Sequence, residues 1–404
     1  MRKTVLFLGA AHAQMPPIRY ARDKGYRVIT CDYRPDNPGH ALAERSYDVS
    51  TTDLEGILQV AAENHIDGIV AYASDPAAPT QAYVADKLGL AGNSYDSVKT
   101  LTDKDRFRAF LQDNGFNAPK AKSFTGFEEA SAWCESLEFP IFVKPVDSSG
   151  SKGVTRIEST EQLGGAFDLA RKYSLSGRVI LEEEIVRDGP QVAGDGFVVG
   201  GKLAFRCWAD ENFDPDCNGL VPIGESFPCT QPDNRLDHAH AETQRILDLL
   251  GIERGALNFD FVFDRDGRLY FLEIGPRNGG CLIPDTIKYA TGVDLIAATV
   301  ESALGNDCQD IQMTPTRGFW SSYMIHSLRD GFLTDVWTSP EIKPHIVEQE
   351  LWKRQGEPVT SFLGANATVG AAILHFDTLE QMKATMRSMN NHIHVAVQHE
   401  SHRS

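Results

Sequence analysis

No run of this 404-residue chain approaches the roughly 18–20 consecutive apolar residues that a membrane-spanning helix requires. The opening MRKTVLFLGA has too short an apolar core for a signal peptide and turns at once into a strand-loop-helix pattern. A basic excess is missing too. The formal charge of −17 leaves no positive stripe to neutralise phosphates, which argues against non-specific binding to nucleic acid or to an anionic membrane. The seven cysteines are odd in number and scattered, with no C-x-x-C pair. Buried thiols in a reducing compartment are the simplest reading, so the chain is expected to be soluble and cytoplasmic. Repeats and low-complexity tracts are absent. What is left, at 42% hydrophobic and 24% charged residues, is ordinary globular composition with length enough for two or three domains.

Two familiar nucleotide motifs are also lacking. Gly9 follows a strand and Asp32 lies about twenty residues on, as a dinucleotide site would have it. GAAHAQ, residues 9–14, lacks the second and third glycines of G-x-G-x-x-G, so a pyrophosphate could not approach the backbone closely. The loop is better suited to lining a second substrate site at the strand ends. Nor does the chain contain the G-x-x-x-x-G-K-[ST] loop.

The first 95 or so residues alternate strand and helix: strands at 4–8, YRVITCD and 67–72, helices at 16–24, 53–64 and 77–88. This predicts a small doubly wound parallel sheet. Helices near 94–100 and 103–114 follow. Strands at 139–145, 153–157 and 178–185 with a helix at 160–173 then suggest an α+β lobe. Strands near 191–199 and 202–208, helix 233–250 and a hairpin at 256–280 suggest a second lobe, closed by helix 284–303. Asp210 to Asn234 reads as an irregular, functional loop. The last hundred residues contain strand-like GAAILHF and helix-like TLEQMKATMRS. His238 and His240, two apart on a helix, face different ways. His392 and His394 share a strand face that reads as a solvated edge beside the tail histidines His399 and His402.

Three segments carry chemistry. In ALNFDFVFDRDGRLYFLEIGPRNGG, Asp266-Gly267 is a strong hairpin signal, and taking it as a two-residue turn sets Asp260 opposite Glu273. A four-residue loop keeps both acids on one face. Opposed like charges cost roughly 0.2–1 kcal/mol, a cost that a divalent cation between them removes. Arg277 follows as a fork for phosphate or carboxylate, beside Asn278. Cys281 is placed to line the same pocket. Second, Lys144 ends a strand and leads into Ser148, Ser149, Gly150, Ser151, Lys152 and Gly153, a small-residue loop whose N–H groups and hydroxyls suit phosphate oxygens. Third, LEEEI at 181–185 is extended, and its backbone could meet an adenine edge while Glu183 or a neighbour reaches a ribose.

In this order, with Lys104 ahead of the lobe, these pieces resemble the ATP-grasp superfamily of carboxylate–amine ligases, in its biotin-carboxylase-like and carbamoyl-phosphate-synthase-like branch. The resemblance covers residues 1–305. It implies an amino-terminal Rossmann-like domain at 1–97, a two-lobed ATP-grasp domain at 98–305 with its lid lobe at about 122–184, and a small α+β domain at 306–404. Carried over, Lys104 and Lys144 look like the lysines on ATP phosphates, and Ser148 to Gly153 like the covering loop with Lys152 as its mobile charge. Glu182, Glu183, Glu184 and Ile185 look like the adenine linker, Asp260 and Glu273 like the Mg²⁺ ligands (Mn²⁺ being the alternative ion), and Arg277 like the holder of the acyl phosphate. Two departures stand out: Gly275 where the family often has a metal-binding Asn, for which Asn278 is a candidate substitute, and Gln191 where many members have Glu near the nucleotide. The implied activity is ADP-forming ligation of a small-molecule carboxylate, as an acyl phosphate, to an amine, with an amino acid or peptide as the leading product. Carboxylation through carboxyphosphate and a non-catalytic ATP-binding module are the alternatives. A homodimer is compatible with all three.

Overall fold

The computed structural model describes residues 2–398, and the tail histidines His399 and His402 lie outside the described residues. Four parallel strands form the first sheet, in the order Arg45–Tyr47, Arg27–Cys31, Thr4–Leu8, Gly68–Ala71. Leu6, Leu8, Ile29 and Ile69 point to helices Leu54–Asn64 and Ala78–Leu88 on one face, while Val5, Phe7, Val28 and Val70 face helix Met15–Asp23 on the other. Both faces are buried, which is why these strands read as continuous apolar runs. The second face has another cover: Ile296, Val300, Ala303 and Leu304 from helix Leu295–Ala303 pack on it. The predicted helix 284–303 is two helices, Ile283–Thr291 and Leu295–Ala303, parted at Gly292 with φ 84° and restarted by the Asp294 cap.

The lid lobe is a four-stranded antiparallel sheet, in the order Ala121–Phe124, Val179–Glu183, Ile141–Pro145, Thr155–Ile157. Helices Phe127–Cys134 and Leu163–Tyr173 bury one face of it. Eight strands form the largest sheet, in the order Leu269–Gly275, Arg254–Phe263, Val192–Val199, Lys202–Phe213, Pro222–Phe227, Phe319–Ile325, Gly370–Phe376, Ile346–Leu351. It runs without a break across residue 305, because Pro222–Phe227 pairs with Phe319–Ile325. A three-stranded sheet of Pro358–Val359, Gly331–Thr338 and Ile393–Gln398 completes the carboxy-terminal part.

The expected irregular loop at Asp210–Asn234 is a correction. The strand begun at Lys202 continues to Phe213, and Pro222–Phe227 returns antiparallel beside it. Asp210 and Glu225 are buried and Glu211 is half-buried within these strands, and acids withdrawn from solvent defeat a reading that equates charge with a loop.

The hairpin also turns differently. Asp264 N–H donates to Arg268 carbonyl (3.0 Å), and the Asp264 carboxylate accepts from Asp266 and Arg268 N–H, so the loop has three residues, 265–267, with Gly267 at φ 78°. Phe261 therefore faces Phe271, one residue off the predicted register. A bulge then leaves Leu272 without an opposite number and restores the pairing of Asp260 with Glu273. The acids meet because two offsets cancel, and the bulge turns Leu272 and Glu273 into the cleft together.

Candidate active site

The lid sheet, the eight-stranded sheet and the loops of the first sheet enclose a cleft of about 1550 Å³. Lys104, Lys144, Ser148 to Lys152, Glu182 to Ile185, Gln191, Asp260, Glu273 and Arg277 all line it, so the predicted site residues converge. Of the predicted set, Gly153 is not on the wall; at φ 75° it shapes the loop.

Lys144 leaves the middle strand of the lid and lies 4.7 Å from the Phe142 ring centroid. Its ammonium is paired with Glu182, a residue only 2% exposed, which also accepts from Arg108 Nε at 3.0 Å. Burial works to raise the Glu182 pKa, but Arg108 and then Lys144 overcome it and hold the carboxyl at about 2. Glu182 is thus the counter-ion that fixes Lys144, rather than a free linker side chain. Nor are its neighbours free for a ribose: Glu183 accepts from Glu138 N–H (3.1 Å), and Glu184 is clamped by Arg156 (2.7 Å). Only the backbone past the strand end at Glu183, running to Ile185, remains available to a planar base.

The glycine- and serine-rich loop folds down over the cleft. Lys104 Nζ donates to Ser148 carbonyl (2.8 Å) and lies 3.4 Å from Glu273, tying the loop base to the acid pair. Ser151 Oγ donates to Leu220 carbonyl (2.9 Å), and Ala365 N–H donates to Gly150 carbonyl (3.3 Å). Lys152 makes no ion pair among the described residues. Burial lowers its pKa and Asp75, across the cleft, pulls the other way.

Asp260 and Glu273 face each other as register partners. Burial, and then Glu273, pushes the Asp260 pKa up to about 7. Among the described residues no three His, Cys, Asp or Glu side chains converge to hold an ion unaided. The acid pair therefore fits a hard divalent ion whose remaining ligands are phosphate oxygens and water. Gln191 sides with these acids, donating to Glu211 (2.5 Å) and Asp260 (3.4 Å).

Gly275 is explained by a residue that the sequence did not point to. Arg277 is bidentate on Asp75, Nε at 2.7 Å and Nη2 at 2.6 Å, and Nη1 donates to Asn258 Oδ1 (2.7 Å). A Cβ on Gly275 would stand 2.5 Å from Asp75 Oδ1, so the Asp75–Arg277 pair fills the space of a side chain at 275. Asn278 does not substitute: it is fully buried, and its Oδ1 accepts from Thr299 (2.8 Å) away from the cleft. Asp75 comes from the loop after the first sheet, 202 residues before Arg277, and no local motif signals it. Asp195 was missed as well; it accepts from Gly279 N–H and Asn258 and anchors the loop that carries Arg277.

The loop at 9–14 is closed to a dinucleotide. Gln14 fills the space over Gly9, where a Cβ would meet its side chain at 3.1 Å. Asp32 is spent on Ala10 N–H, Arg34 N–H and Asn37. Cys281 lines the cleft, but burial pushes its thiol up to about 12, which leaves it protonated at neutral pH. His240 contacts Arg206 (3.3 Å) and His392 contacts Ser339 (3.2 Å), so neither joins a metal site.

Residues 110–206 match the family described as D-ala D-ala ligase C-terminus. An uncharacterized protein of Sinorhizobium fredii is 24% identical over 77% of this chain and 65% of its own length. The N-terminal section of the carbamoyl phosphate synthase large chain of Methanopyrus kandleri is 25% identical over 75% of this chain and 55% of its own. The chain thus spans less than two thirds of either relative. Among solved structures, the L-amino acid ligase from Bacillus licheniformis superposes with a TM-score of 0.81 at 21% identity, covering 98% of this chain and 99% of that one. The biotin carboxylase domain of the Hydrogenobacter thermophilus 2-oxoglutarate carboxylase, solved with MgADP and bicarbonate, gives 0.76 at 16% identity, with 98% and 91% covered. No helix among the described residues is long and apolar enough to cross a membrane.

Proposed function

We propose that the chain is an ATP-grasp enzyme, an ADP-forming ligase that activates a small-molecule carboxylate with ATP and couples it to an amine. One observation carries the reading: the Asp260–Glu273 pair faces Lys104, and both border a cleft that also holds Lys144, Lys152 and Arg277. A nucleotide lying along this cleft has its base at 183–185 beside Leu272, its phosphates under the 148–153 loop, and its terminal phosphate near the acids. Phosphoryl transfer needs positioning and charge neutralisation more than covalent help. Lys104 and Lys144 hold phosphate oxygens, and Lys152 closes over them with the loop. A divalent ion held by Asp260 and Glu273 supplies Lewis-acid neutralisation of the phosphates. A carboxylate oxygen attacks the γ-phosphorus, the bond to ADP breaks, and the acyl phosphate lies against Arg277. The amine then adds to the acyl carbon and releases phosphate, while the closed loop keeps out water that would hydrolyse the intermediate.

The likeness to the L-amino acid ligase supports an amino acid among the substrates. The likeness to carbamoyl phosphate synthase supports a second reading, carboxylation through carboxyphosphate. ADP release from MgATP, measured over a grid of carboxylates, amines and bicarbonate, separates them. Release that needs both a carboxylate and an amine is the expected result. Dependence on bicarbonate selects the second reading, and no release in any cell of the grid sinks both.

A further inference from the structure

Beyond the acid pair, the eight-stranded sheet carries a second pair of carboxylates. Glu211 and Glu225 are direct register partners on neighbouring antiparallel strands, and both side chains border the cleft. Like charges set opposite each other destabilise a sheet, and burial adds the loss of hydration. Their neighbours do not repair this. Among the described residues the Glu211 carboxylate has one hydrogen-bond donor, the neutral amide of Gln191 at 2.5 Å. Glu225 is 5% exposed, and its Oε2 is buried with no hydrogen-bond partner among the described residues. Arg277, whose charge acts on Glu225, is already committed to both oxygens of Asp75. Arg187, which bears on Glu211, lies over the Phe213 ring at 5.5 Å. Asp195 and Asp260 add further negative charge. An unpaired, dehydrated carboxylate facing a cavity is a receptor for a cation.

We propose that Glu225, with Glu211, binds the α-ammonium group of an amino-acid substrate whose carboxylate points along the cleft toward the nucleotide phosphates. The inference rests on the ligase reading and adds the substrate's class to it. An ammonium group suits the pair, since its three N–H donors can serve several carboxylate oxygens at once. The same end of the cleft is walled by Cys281, Ile283, Met324 and Pro222, a surface for an apolar side chain. The ligand is therefore an α-amino acid with an apolar side chain, held by its ammonium and presented carboxylate-first to the phosphates.

The test is calorimetric titration of the full chain, with MgADP present, using the apolar α-amino acids and their matched des-amino acids (leucine against 4-methylpentanoate, alanine against propionate). A site with buried polar groups awaiting a partner rejects the ligand that lacks it, so the tightest amino acid should bind about 100-fold or more above its des-amino partner. Glu225→Gln should shrink that preference to less than about tenfold, because the buried charge opposite the ammonium is gone. Equal or tighter binding of the des-amino acids, no binding by any amino acid, or an undiminished preference in Glu225→Gln would each overturn the assignment. The wild-type ligand pairs decide the matter even if the variant does not fold. Failure of the ligase reading looks different: ADP release absent with every carboxylate and amine. ADP release with des-amino carboxylates and no ammonium preference keeps the ligase and removes only this site.

Discussion

The two sheets that face each other across the cleft manage buried charge in opposite ways. At the lid sheet, Lys144 and Arg108, the latter from helix Lys104–Asp113, converge on the buried Glu182, and the three charges are satisfied by one another. On the eight-stranded sheet, Asp260, Glu273, Glu211 and Glu225 outnumber the cations that reach them: Lys104, 3.4 Å from Glu273, Arg187 near Glu211, and an Arg277 already taken by Asp75. The lid arrangement is complete without a ligand. The other is not, and its carboxyl groups are pushed upward as a result: Asp260 to about 7, Glu211 well above its ordinary range by burial, Asp260 and Glu225, and Glu225 likewise by burial, Asp195 and Asp260. Charge neutralised within the protein fixes a side chain in place, and charge left uncompensated marks where ligand cations belong.

That contrast can be broken most forcefully at Glu182. Glu182→Ala leaves Lys144 and Arg108 buried without a counter-ion, and truncating one partner of a buried pair costs roughly 3–5 kcal/mol. Urea denaturation of the metal-free protein measures the loss, and a value under about 1 kcal/mol would mean that the lid charges are not interdependent. The next effect comes from the opposite sheet. MgATP binds only the folded chain, so at about 100 times its dissociation constant it should add roughly 2.7 kcal/mol. Thermal melts with ATP and excess EDTA should lose most of that gain, since the acids then face the phosphates uncompensated. A melt unmoved by MgATP would remove the nucleotide site.

The pH dependence should separate the sheets in sign. Glu182 is lowered from 4.5 to about 2, so its contribution is present above pH 4.5 and disappears as pH falls through 2. Asp260 is raised from 3.8 to about 7, so the folded state holds a proton that the unfolded state has released. Stability of the metal-free protein should therefore decline as pH rises from about 4 through about 7, and saturating Mg²⁺ with nucleotide should flatten the decline. Melts between pH 4.5 and 8 with and without MgADP check this. A metal-free protein that grows steadily more stable across that window would contradict the burial assigned to Asp260.

The parallel sheet, the lid loop and the lysines were legible because each has a local pattern: buried apolar runs, a glycine-serine cluster, a charge at a strand end. The Asp260–Glu273 partnership was legible for a partly accidental reason, since the three-residue turn and the bulge at Leu272 cancel. Glu211 and Glu225 were hidden in a segment whose DENFDPDCNG composition resembles a loop. Their strands are specified by neighbours on either side and not by their own alternation. Asp75 and the reason for Gly275 were out of reach for a different cause: the contact joins the first sheet's loop to a residue 202 positions later. Sequence spacing says nothing about it.

The smallest effect sharpens the comparison most. If the acids opposite the lid are held apart from their natural counter-ion, removing one charge should relieve the metal-free fold. Asp260→Asn keeps the shape, and Gln191 can donate to the new amide oxygen as it does to Asp260 Oδ1. Directly opposed like charges cost roughly 0.2–1 kcal/mol, so the variant should gain about that much at pH 8, where the carboxylate would otherwise be ionised. At pH 5 the gain should vanish, because Asp260 is then already protonated. Denaturant titration at both values resolves the difference if the midpoint is followed at constant slope. A loss of stability at pH 8 would show that Arg277, or another group, already compensates the carboxylate, and the contrast between the two sheets would fall with it.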